Sequence, residues 1–327
     1  MKAALHVIGA CLAFGLVLQA PAPADLTPEQ QQEMLATIRT LRMQDRQDAA
    51  LQMCATILDA DANCAQAYSE RGIVYLDQQR YSEAETEFTV AVAIDPALIQ
   101  AYVGRARARA SLDNDSGMRT DVNRAAALCG KALEENQRDA DAYYYRGVAW
   151  RIIGEEADAA WDLTRAVEIR PDFAEARLER AHIYVGQHKF GLAIEHCSEA
   201  IKERPDYVQA WLTRAEAYYW SQDYKSATDD CTSALAVNPD SYRAHYNRGL
   251  VYGKAGDSAS AIADFTRATE LRPDSAEAWF FLGEAEFQHG DKDAARTAWA
   301  KAVEVGPTTA TGKSAARRLR ETEPGQT

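Results

Sequence analysis

Apolar and small residues recur at steps of three and four along almost the whole chain after its first thirty residues, with short breaks at Gly or Pro. The stretch from Tyr242 to Ser275 shows the pattern most clearly. It contains two segments, 242–254 and 258–271, separated by Ala255-Gly256-Asp257 and followed by Arg272-Pro273-Asp274. The spacing is that of one face of an α-helix, and Gly and Pro are helix stops. The pattern therefore predicts two short amphipathic helices that need neighbours to bury their apolar faces.

The same pair of helices recurs along the chain with a period of 34 residues. Two columns that keep this step are Pro171, Pro205, Pro239, Pro273 and Pro307, and Gly147, Ala181, Ala215, Gly249 and Gly283. Continuing toward the N-terminus requires one additional piece of seven residues, expected within 112–120. The predicted units are 31–64, 65–98, 99–139, 140–173, 174–207, 208–241, 242–275 and 276–309. The chain is thus divided into residues 1–24, a repeat region 25–309, and 310–327, with a capping helix over 312–321 and a tail.

The columns resemble those of the tetratricopeptide repeat family, whose unit is a 34-residue helix-turn-helix with aromatic, small and Pro positions. In the second unit the matching residues are Tyr68, Gly72, Tyr75, Ala84, Phe88, Ala91 and Pro96. The first unit departs most, with Met34, Ile38 and Leu41 at columns that elsewhere hold an aromatic, a small residue and Tyr. The resemblance implies an all-α, right-handed α-solenoid of helix-turn-helix repeats. The small column is expected where the two helices of a unit approach most closely.

Six units carry Arg where the family pattern has Leu. They are Arg71, Arg105, Arg146, Arg180, Arg214 and Arg248. In four units an acid stands sixteen residues later, namely Glu87, Asp162, Asp230 and Asp264. This recurrence predicts a structural column of Arg–acid pairs, here called the ladder, rather than a row of ligand sites. Arg105 and Arg180 are expected to face Leu128 and His196 instead.

Residues 1–24 have the composition of a secretory signal: Met1-Lys2, an apolar run to Leu18, and Ala22-Pro23-Ala24 before Asp25. The run is short for a membrane-spanning helix, so cleavage near Ala24 is expected. The protein is then expected to be periplasmic or secreted. Ile8-Gly9-Ala10-Cys11 resembles a lipoprotein acylation box, and an acyl chain on Cys11 would anchor the protein to a membrane.

Charge and motifs exclude several function classes. The chain has 36 Lys and Arg against 49 Asp and Glu, a formal net charge of −13, which argues against a nucleic-acid partner. It contains no nucleophile elbow, phosphate-binding Gly loop or HExxH motif. No enzymatic activity and no cofactor are therefore expected.

Three groups of residues allow a second interpretation. His182, His188, His196 and Cys197 lack metal-site spacing, and Asp113-Asn114-Asp115-Ser116-Gly117 lacks the Gly and Glu positions of a calcium loop, so no metal is predicted. Five cysteines follow the signal, and Cys54, Cys129, Cys197 and Cys231 fall in an apolar packing column. A disulfide between Cys54 and Cys64 is the alternative to packing.

In the family that the chain resembles, the first helix of each unit lines a concave groove with its second, fifth, ninth, twelfth and thirteenth residues. Counted here, together with Arg243 and Asn247, the candidate binding residues are Arg107, Tyr144, Arg151, Ile152, His182, Glu216, Tyr219, Trp220, Arg243, Tyr246, Asn247, Lys254, Phe280, Glu284 and Phe287. Aromatic rings beside a few charges are typical of peptide-binding grooves. The predicted function is a non-catalytic scaffold of the cell envelope that binds a peptide or protein segment. The alternative is a carrier of a small or lipid-like ligand.

Overall fold

The computed structural model describes residues 26–322, and within them the chain forms seventeen α-helices, numbered α1 to α17 here. The first helices of the eight units are α1 (Pro28–Met43), α3 (Ala65–Asp77), α5 (Ile99–Ser111), α7 (Ala140–Ile152), α9 (Ala174–Gly186), α11 (Val208–Trp220), α13 (Tyr242–Ala255) and α15 (Ala276–His289). The second helices are α2 (Gln47–Ala60), α4 (Tyr81–Ile94), α6 (Asp115–Glu135), α8 (Glu156–Ile169), α10 (Phe190–Glu203), α12 (Tyr224–Val237), α14 (Ser258–Leu271) and α16 (Lys292–Val305). Helix α17 (Ala310–Glu321) follows the last unit and packs against α15 and α16. The predicted all-α solenoid is confirmed.

Each unit reverses direction between its two helices through one residue with a positive φ angle. These residues are Asp45, Gln79, Asp113, Gly154, His188, Gln222, Gly256 and Gly290. A left-handed residue after the last helical turn lets the chain stop and turn back within a few residues. Gly adopts this conformation without strain, and Gly256, at φ 85°, ends α13 where the sequence predicts the break.

The small column marks the closest approach of the two helices in a unit. A Cβ atom placed on Gly72 or on Gly249 would lie 2.9 Å from a ring carbon of Phe88 or Phe265, respectively. On Gly283 it would lie 2.5 Å from the indole of Trp299. Contacts this short require the ring to move. A larger residue in the small column would therefore overpack the contact between the two helices, as the sequence predicts.

The first helix of several units is tied to the preceding turn by a side chain that donates to a Pro carbonyl six residues earlier. The indole nitrogens of Trp211 and Trp279 donate to the carbonyl oxygens of Pro205 and Pro273, each at 2.9 Å. His245 and Arg177 contact Pro239 and Pro171 in the same way. These hydrogen bonds satisfy carbonyl groups that lie outside any helix.

The seven additional residues of the third unit do not form a polar insertion within 112–120. The turn between α5 and α6 has the usual length, and α6 is a helix of 21 residues, whereas α4 and α8 have 14 each. Seven residues are close to two helical turns, so the apolar face of α6 continues in register. Val122 and Cys129, seven residues apart, are both fully buried.

The ladder is present in the structure. Arg71 pairs with Glu87, Arg146 with Asp162, Arg214 with Asp230 and Arg248 with Asp264, at nitrogen–oxygen distances of 2.6 to 2.8 Å. One expectation was wrong: Arg105 pairs with Asp121, not Leu128, through Nε at 2.9 Å and Nη2 at 2.7 Å. The reason is that the additional residues of α6 follow Asp121, so the spacing of sixteen is kept.

The five described cysteines are free and buried, so the alternative of a Cys54–Cys64 disulfide is not realised. Burial raises the pKa of the Cys54, Cys129, Cys197 and Cys231 thiols to about 12, which is consistent with a packing role. Cys11 and the predicted signal lie outside the described residues. In residues 26–322, no helix combines the length and hydropathy needed to cross a membrane.

Candidate functional site

The inner, concave face of the solenoid is built from the first helices of the units. Within the described chain, the first helices of neighbouring units contact one another, for example α3 with α5 and α5 with α7, whereas no comparable contact joins two second helices. Helices that approach one another lie on the inside of the curve. The second helices therefore form the outer row.

The solenoid curves so tightly that its first unit touches its fifth and sixth. The turn after α1 supplies Gln44, whose side-chain amide donates to Asp206 at 3.1 Å. Asn238 donates to the backbone carbonyl of Asp45 at 2.9 Å, and the Ser241 hydroxyl donates to the Asp45 carboxylate at 2.5 Å. These contacts join residues that are between 162 and 196 positions apart, and they close the inner face into a chamber.

The inner chamber is a cavity of about 910 Å³ that is lined by residues of units one to seven. Six of the candidate residues line it: Arg107, Tyr144, Arg151, His182, Glu216 and Arg243. Burial raises the pKa of Tyr144 and of Tyr207, which also lines the chamber, so both phenols stay protonated as hydrogen-bond donors. The sequence did not predict that residues of the first two units, such as Arg42 and Glu70, would face the same space.

Glu70 joins three units on the chamber wall. Its side chain is 1 % exposed and accepts hydrogen bonds from Arg39 Nε at 2.9 Å and Arg42 Nη1 at 2.8 Å. The amide of Gln100 donates to the same carboxylate at 3.2 Å. A buried carboxylate with three donors is a structural junction that orders the wall.

Glu179 is a second buried acid on the chamber wall. Arg151 Nη2 lies 2.8 Å and His182 Nδ1 lies 3.7 Å from its carboxylate. Burial by itself would raise the pKa of Glu179, but Arg151 and His182 hold it well below its usual range. Two candidate residues therefore converge on an acid that the sequence reading overlooked. Glu70 and Glu179 are both the sixth residue of their first helix, and this shared position was the available signal.

A second cavity, the C-terminal groove, lies on the first helices of units six to eight and has a volume of about 670 Å³. Its lining includes Glu216, Tyr219, Trp220, Arg243, Asn247, Leu250, Lys254, Phe280, Phe281 and Glu284. Glu216 and Arg243 line both cavities, so the groove adjoins the chamber.

Trp220 is the most exposed aromatic side chain of the C-terminal groove. Trp220 is 56 % exposed, which is unusual for a large apolar residue. Its ring meets that of Tyr219 edge to face, with centroids 5.2 Å apart, and Tyr219 in turn contacts Tyr224 at 6.0 Å. The ring is therefore held by aromatic neighbours while one side remains available to a partner.

Three charged groups of the groove have no ionic partner within 4.0 Å among the described residues: Glu216, Arg243 and Lys254. Glu284, by contrast, is bound by both Nε and Nη2 of Arg318 from α17 at 2.7 Å. The groove thus offers exposed rings together with two unpaired cations and one unpaired anion.

Tyr246 and Phe287, two candidate residues, line neither cavity. Tyr246 stacks on Tyr242 and packs edge to face against Phe265 and Phe281 in the contact between units seven and eight. Phe287 lies on Trp299 and is covered by the guanidinium of Arg318. Ile152 likewise packs into the core of the third and fourth units. These side chains are therefore packing residues, because a neighbouring unit or α17 covers the face that the position count assigned to the groove.

The three histidines considered for a metal site are separated by their contacts. His182 faces the chamber and bonds Thr213, His196 stacks on Tyr184, and His188 is exposed at a turn. In the part of the chain that the structure describes, no three His, Cys, Asp or Glu side chains are grouped to hold a metal ion. In the segment 113–117, which was compared with a calcium loop, Asn114 caps α6 by accepting a hydrogen bond from the Gly117 amide.

The fold and the site together define the class of protein: a solenoid of helical repeats whose concave face is lined by aromatic and charged side chains. The tetratricopeptide repeat family model matches residues 39–99, 119–175, 178–231 and 246–310, which is more than half of the chain. The chain therefore belongs to the tetratricopeptide repeat family. Proteins of this family generally serve as interaction scaffolds for protein or peptide partners and are typically non-catalytic.

Curated relatives match only part of this chain. Tetratricopeptide repeat protein 6 of Homo sapiens is 26% identical over 123 residues, which are 38% of this chain and 22% of that protein. Tetratricopeptide repeat protein 36 of Xenopus tropicalis is 29% identical over 114 residues, 35% of this chain and 55% of that protein. The chain thus spans about a fifth and about half of the lengths of these two relatives. Among solved structures, a chain of the APC/C hetero-tetramer Cut9-Hcn1 shares the fold at a TM-score of 0.60 and 13% identity, covering 90% of this chain and 56% of that one.

Proposed function

We propose that the protein is a non-catalytic scaffold that binds an extended peptide or protein segment in the C-terminal groove. The observation that carries the proposal is the exposed ring of Trp220 on the concave face, beside Tyr219 and Phe280. Binding free energy in protein interfaces is concentrated in a few aromatic and Arg side chains that fill or form pockets. Arg243, Lys254 and Glu216 orient the bound segment through its polar groups.

The charge of the cavity walls favours a peptide over a lipid-like ligand. The chamber wall carries the ion pairs of Glu70 with Arg42 and of Glu179 with Arg151. An acyl chain placed against them would remove water from charged groups without contributing a hydrogen bond. The groove has both rings and unpaired charges within reach of one ligand. A peptide can contact both the rings and the charges, because its backbone and side chains offer apolar and polar groups in alternation.

The proposal also places the protein in the cell envelope, because residues 1–24 have the composition of a secretory signal. Fractionation of cells expressing the full chain, followed by the intact mass of the recovered protein, tests this. Cleavage near Ala24 gives a mature protein in the soluble envelope fraction. A membrane-bound protein with the mass of an added acyl group would instead show lipidation at Cys11.

Affinity capture from an envelope extract tests the groove. The native chain is compared with a Tyr219→Ala/Trp220→Ala/Phe280→Ala variant and with Trp161→Ala. Trp161 is the matched control because it is also 56 % exposed but lies on α8, in the outer row of helices. Once a captured segment is identified, its Kd for each variant is measured with purified proteins.

The groove variant is expected to bind the segment at least about 30-fold more weakly, as for the loss of an interface hot spot worth about 2 kcal/mol, whereas Trp161→Ala binds like the native chain. Loss of only a lipid or metabolite from the capture supports the carrier. Equal capture by the native and groove-variant chains contradicts the assignment of the groove.

A further inference from the structure

The ladder has one interruption, and it lies in the fifth unit. In the four paired units from Arg105 onward, Nε and Nη2 of the arginine bind both oxygens of an Asp sixteen residues later. At the corresponding place after Arg180 stands His196, which is 9 % exposed. An imidazole cannot accept two parallel hydrogen bonds from a guanidinium, so Arg180 lacks the partner that its counterparts have.

Arg180 is not compensated elsewhere among the described residues. Its Nε is shielded from solvent and has no hydrogen-bond partner, and its one side-chain hydrogen bond is a contact of 3.4 Å with the Tyr184 hydroxyl. Arg105, Arg214 and Arg248 also donate through Nη1 to a hydroxyl sixteen residues earlier. Thr164 holds that place before Arg180, but the only hydrogen bond its hydroxyl makes is to the Ala160 carbonyl.

The surroundings of Arg180 are positive. Arg177 lies one helical turn earlier, and its guanidinium donates hydrogen bonds to the neutral carbonyl of Pro171. His196 Nδ1 is shielded and has no partner either. Burial, together with Arg180 and Arg177, lowers the pKa of His196 to about 4, so the ring is neutral at neutral pH. No carboxylate lies within 4.0 Å of Arg180 or Arg177 in the described chain.

We propose that Arg180 and Arg177 form a binding site for an oxyanion, a carboxylate or a phosphate, which supplies the negative charge that the ladder lacks in the fifth unit. The planar fork of a guanidinium binds the two oxygens of such a group side by side. The side chains of Arg180 and Arg177 are partly exposed, so the anion reaches their terminal nitrogens from solvent. The oxyanion comes either from free phosphate or from an acidic side chain of a bound protein.

The ladder itself provides the test variant. His196→Asp places in the fifth unit the residue that four other units have, so its own carboxylate occupies the site. His188→Asp is the matched control, because His188 is exposed in the same unit and Asp45 and Asp113 stand at the equivalent turn position. The melting temperature of the full chain is measured at pH 7.5 in sodium chloride, sodium phosphate and sodium acetate at equal ionic strength. The NMR signal of Arg180 Nε–H is followed in the same titrations.

Phosphate is expected to raise the melting temperature of the native chain and of His188→Asp by about 2 °C or more beyond that of His196→Asp, saturating with concentration. The comparison with His196→Asp removes the general stabilisation that phosphate gives to any folded protein. The Arg180 signal shifts in the native chain and in His188→Asp but not in His196→Asp. A response to acetate as well as phosphate indicates a carboxylate source, and a response to phosphate alone indicates free phosphate.

A native chain that responds to the two oxyanions no more than to chloride overturns the proposal, as does an equal response of His196→Asp. If His196→Asp does not fold, the Arg180 Nε–H signal of the native chain decides the question, because general stabilisation by phosphate does not produce a saturating shift of that signal. The site lies away from the C-terminal groove, so its failure leaves the peptide-binding proposal standing.

Discussion

The hydroxyl of Ser241 donates a hydrogen bond of 2.5 Å to the carboxylate of Asp45, although the two residues are 196 positions apart. Asp45 lies in the turn between the two helices of the first unit, and Ser241 caps α13 by accepting from the Ala244 amide. The contact therefore ties one end of the curved inner face to the start of the seventh unit. It helps to close the curve of the solenoid around the inner chamber.

Asp45→Ala is expected to widen the superhelix, because it removes the carboxylate that accepts from Ser241. A hydrogen bond to a charged group is worth about 1.5 to 3 kcal/mol. This loss weakens the contact between the first unit and the start of α13. Small-angle X-ray scattering checks the expected increase in the radius of gyration. Asp113→Ala is the control, since Asp113 has the same left-handed turn position but is exposed. An unchanged radius for Asp45→Ala would show that packing alone closes the chamber.

Asp264→Ala is expected to destabilise the chain by about 3 to 5 kcal/mol, because it leaves Arg248 and His245 facing a buried gap. Peptide binding in the groove is expected to be unchanged. Urea unfolding followed by circular dichroism measures the effect. Asp240→Ala removes an exposed partner of Arg267 and should change stability little, because solvent screens this surface pair. Equal losses from the two substitutions would contradict a structural role for the ladder.

His196 should make the protein less stable in acid. Burial, Arg180 and Arg177 lower its folded-state pKa from 6.5 to about 4. Its contribution is therefore fully present above pH 6.5 and is lost as the pH falls toward 4, at up to about 1.4 kcal/mol per pH unit. Unfolding in chloride buffers, compared between the native chain and His196→Gln, isolates the group from the carboxylates. His188→Gln should follow the native curve, and a His196→Gln curve parallel to the native one would rule the effect out.

Two glycines of α13 should respond in opposite ways to substitution by Ala. Gly249→Ala places a methyl group 2.9 Å from the Phe265 ring and should cost about 1 to 3 kcal/mol. Gly253→Ala meets nothing within 4 Å and should stabilise the helix by about 0.5 to 1 kcal/mol. Thermal unfolding of the two variants measures the difference. A Gly249→Ala variant as stable as the native chain would show that the close approach at Gly249 is not limiting.

Local patterns in the sequence were enough to predict the helix pairs and most of the ladder. Arg214 and Asp230 are joined by a fixed spacing within one helix-turn-helix, so their contact follows from the unit alone. The same logic failed at Arg105, because seven residues fit both a loop insertion and two extra helical turns without disturbing the period. The hydrophobic pattern could not separate these two placements. Asp121, sixteen residues after Arg105, was the feature that distinguished them.

The candidate site was predicted less completely than the fold. Counting positions on each first helix found Trp220 and Arg151 on the inner face but missed Glu70 and Glu179. It also assigned Tyr246 and Phe287 to the groove, although Phe281 and Arg318 cover them. Whether an inner-face side chain is exposed depends on the size of residues in the next unit, which a count within one unit does not contain.

The sequence by itself determined the repeating unit: its two helices, the small residue between them and the Arg–acid pair. Each depends on residues within one 34-residue period, where spacing translates directly into contact. Only the tertiary structure decided that Asp45 meets Ser241 and that the inner face curves into a chamber. That contact depends on the small rotation between successive units, which accumulates along the solenoid and is set by side-chain packing at every interface.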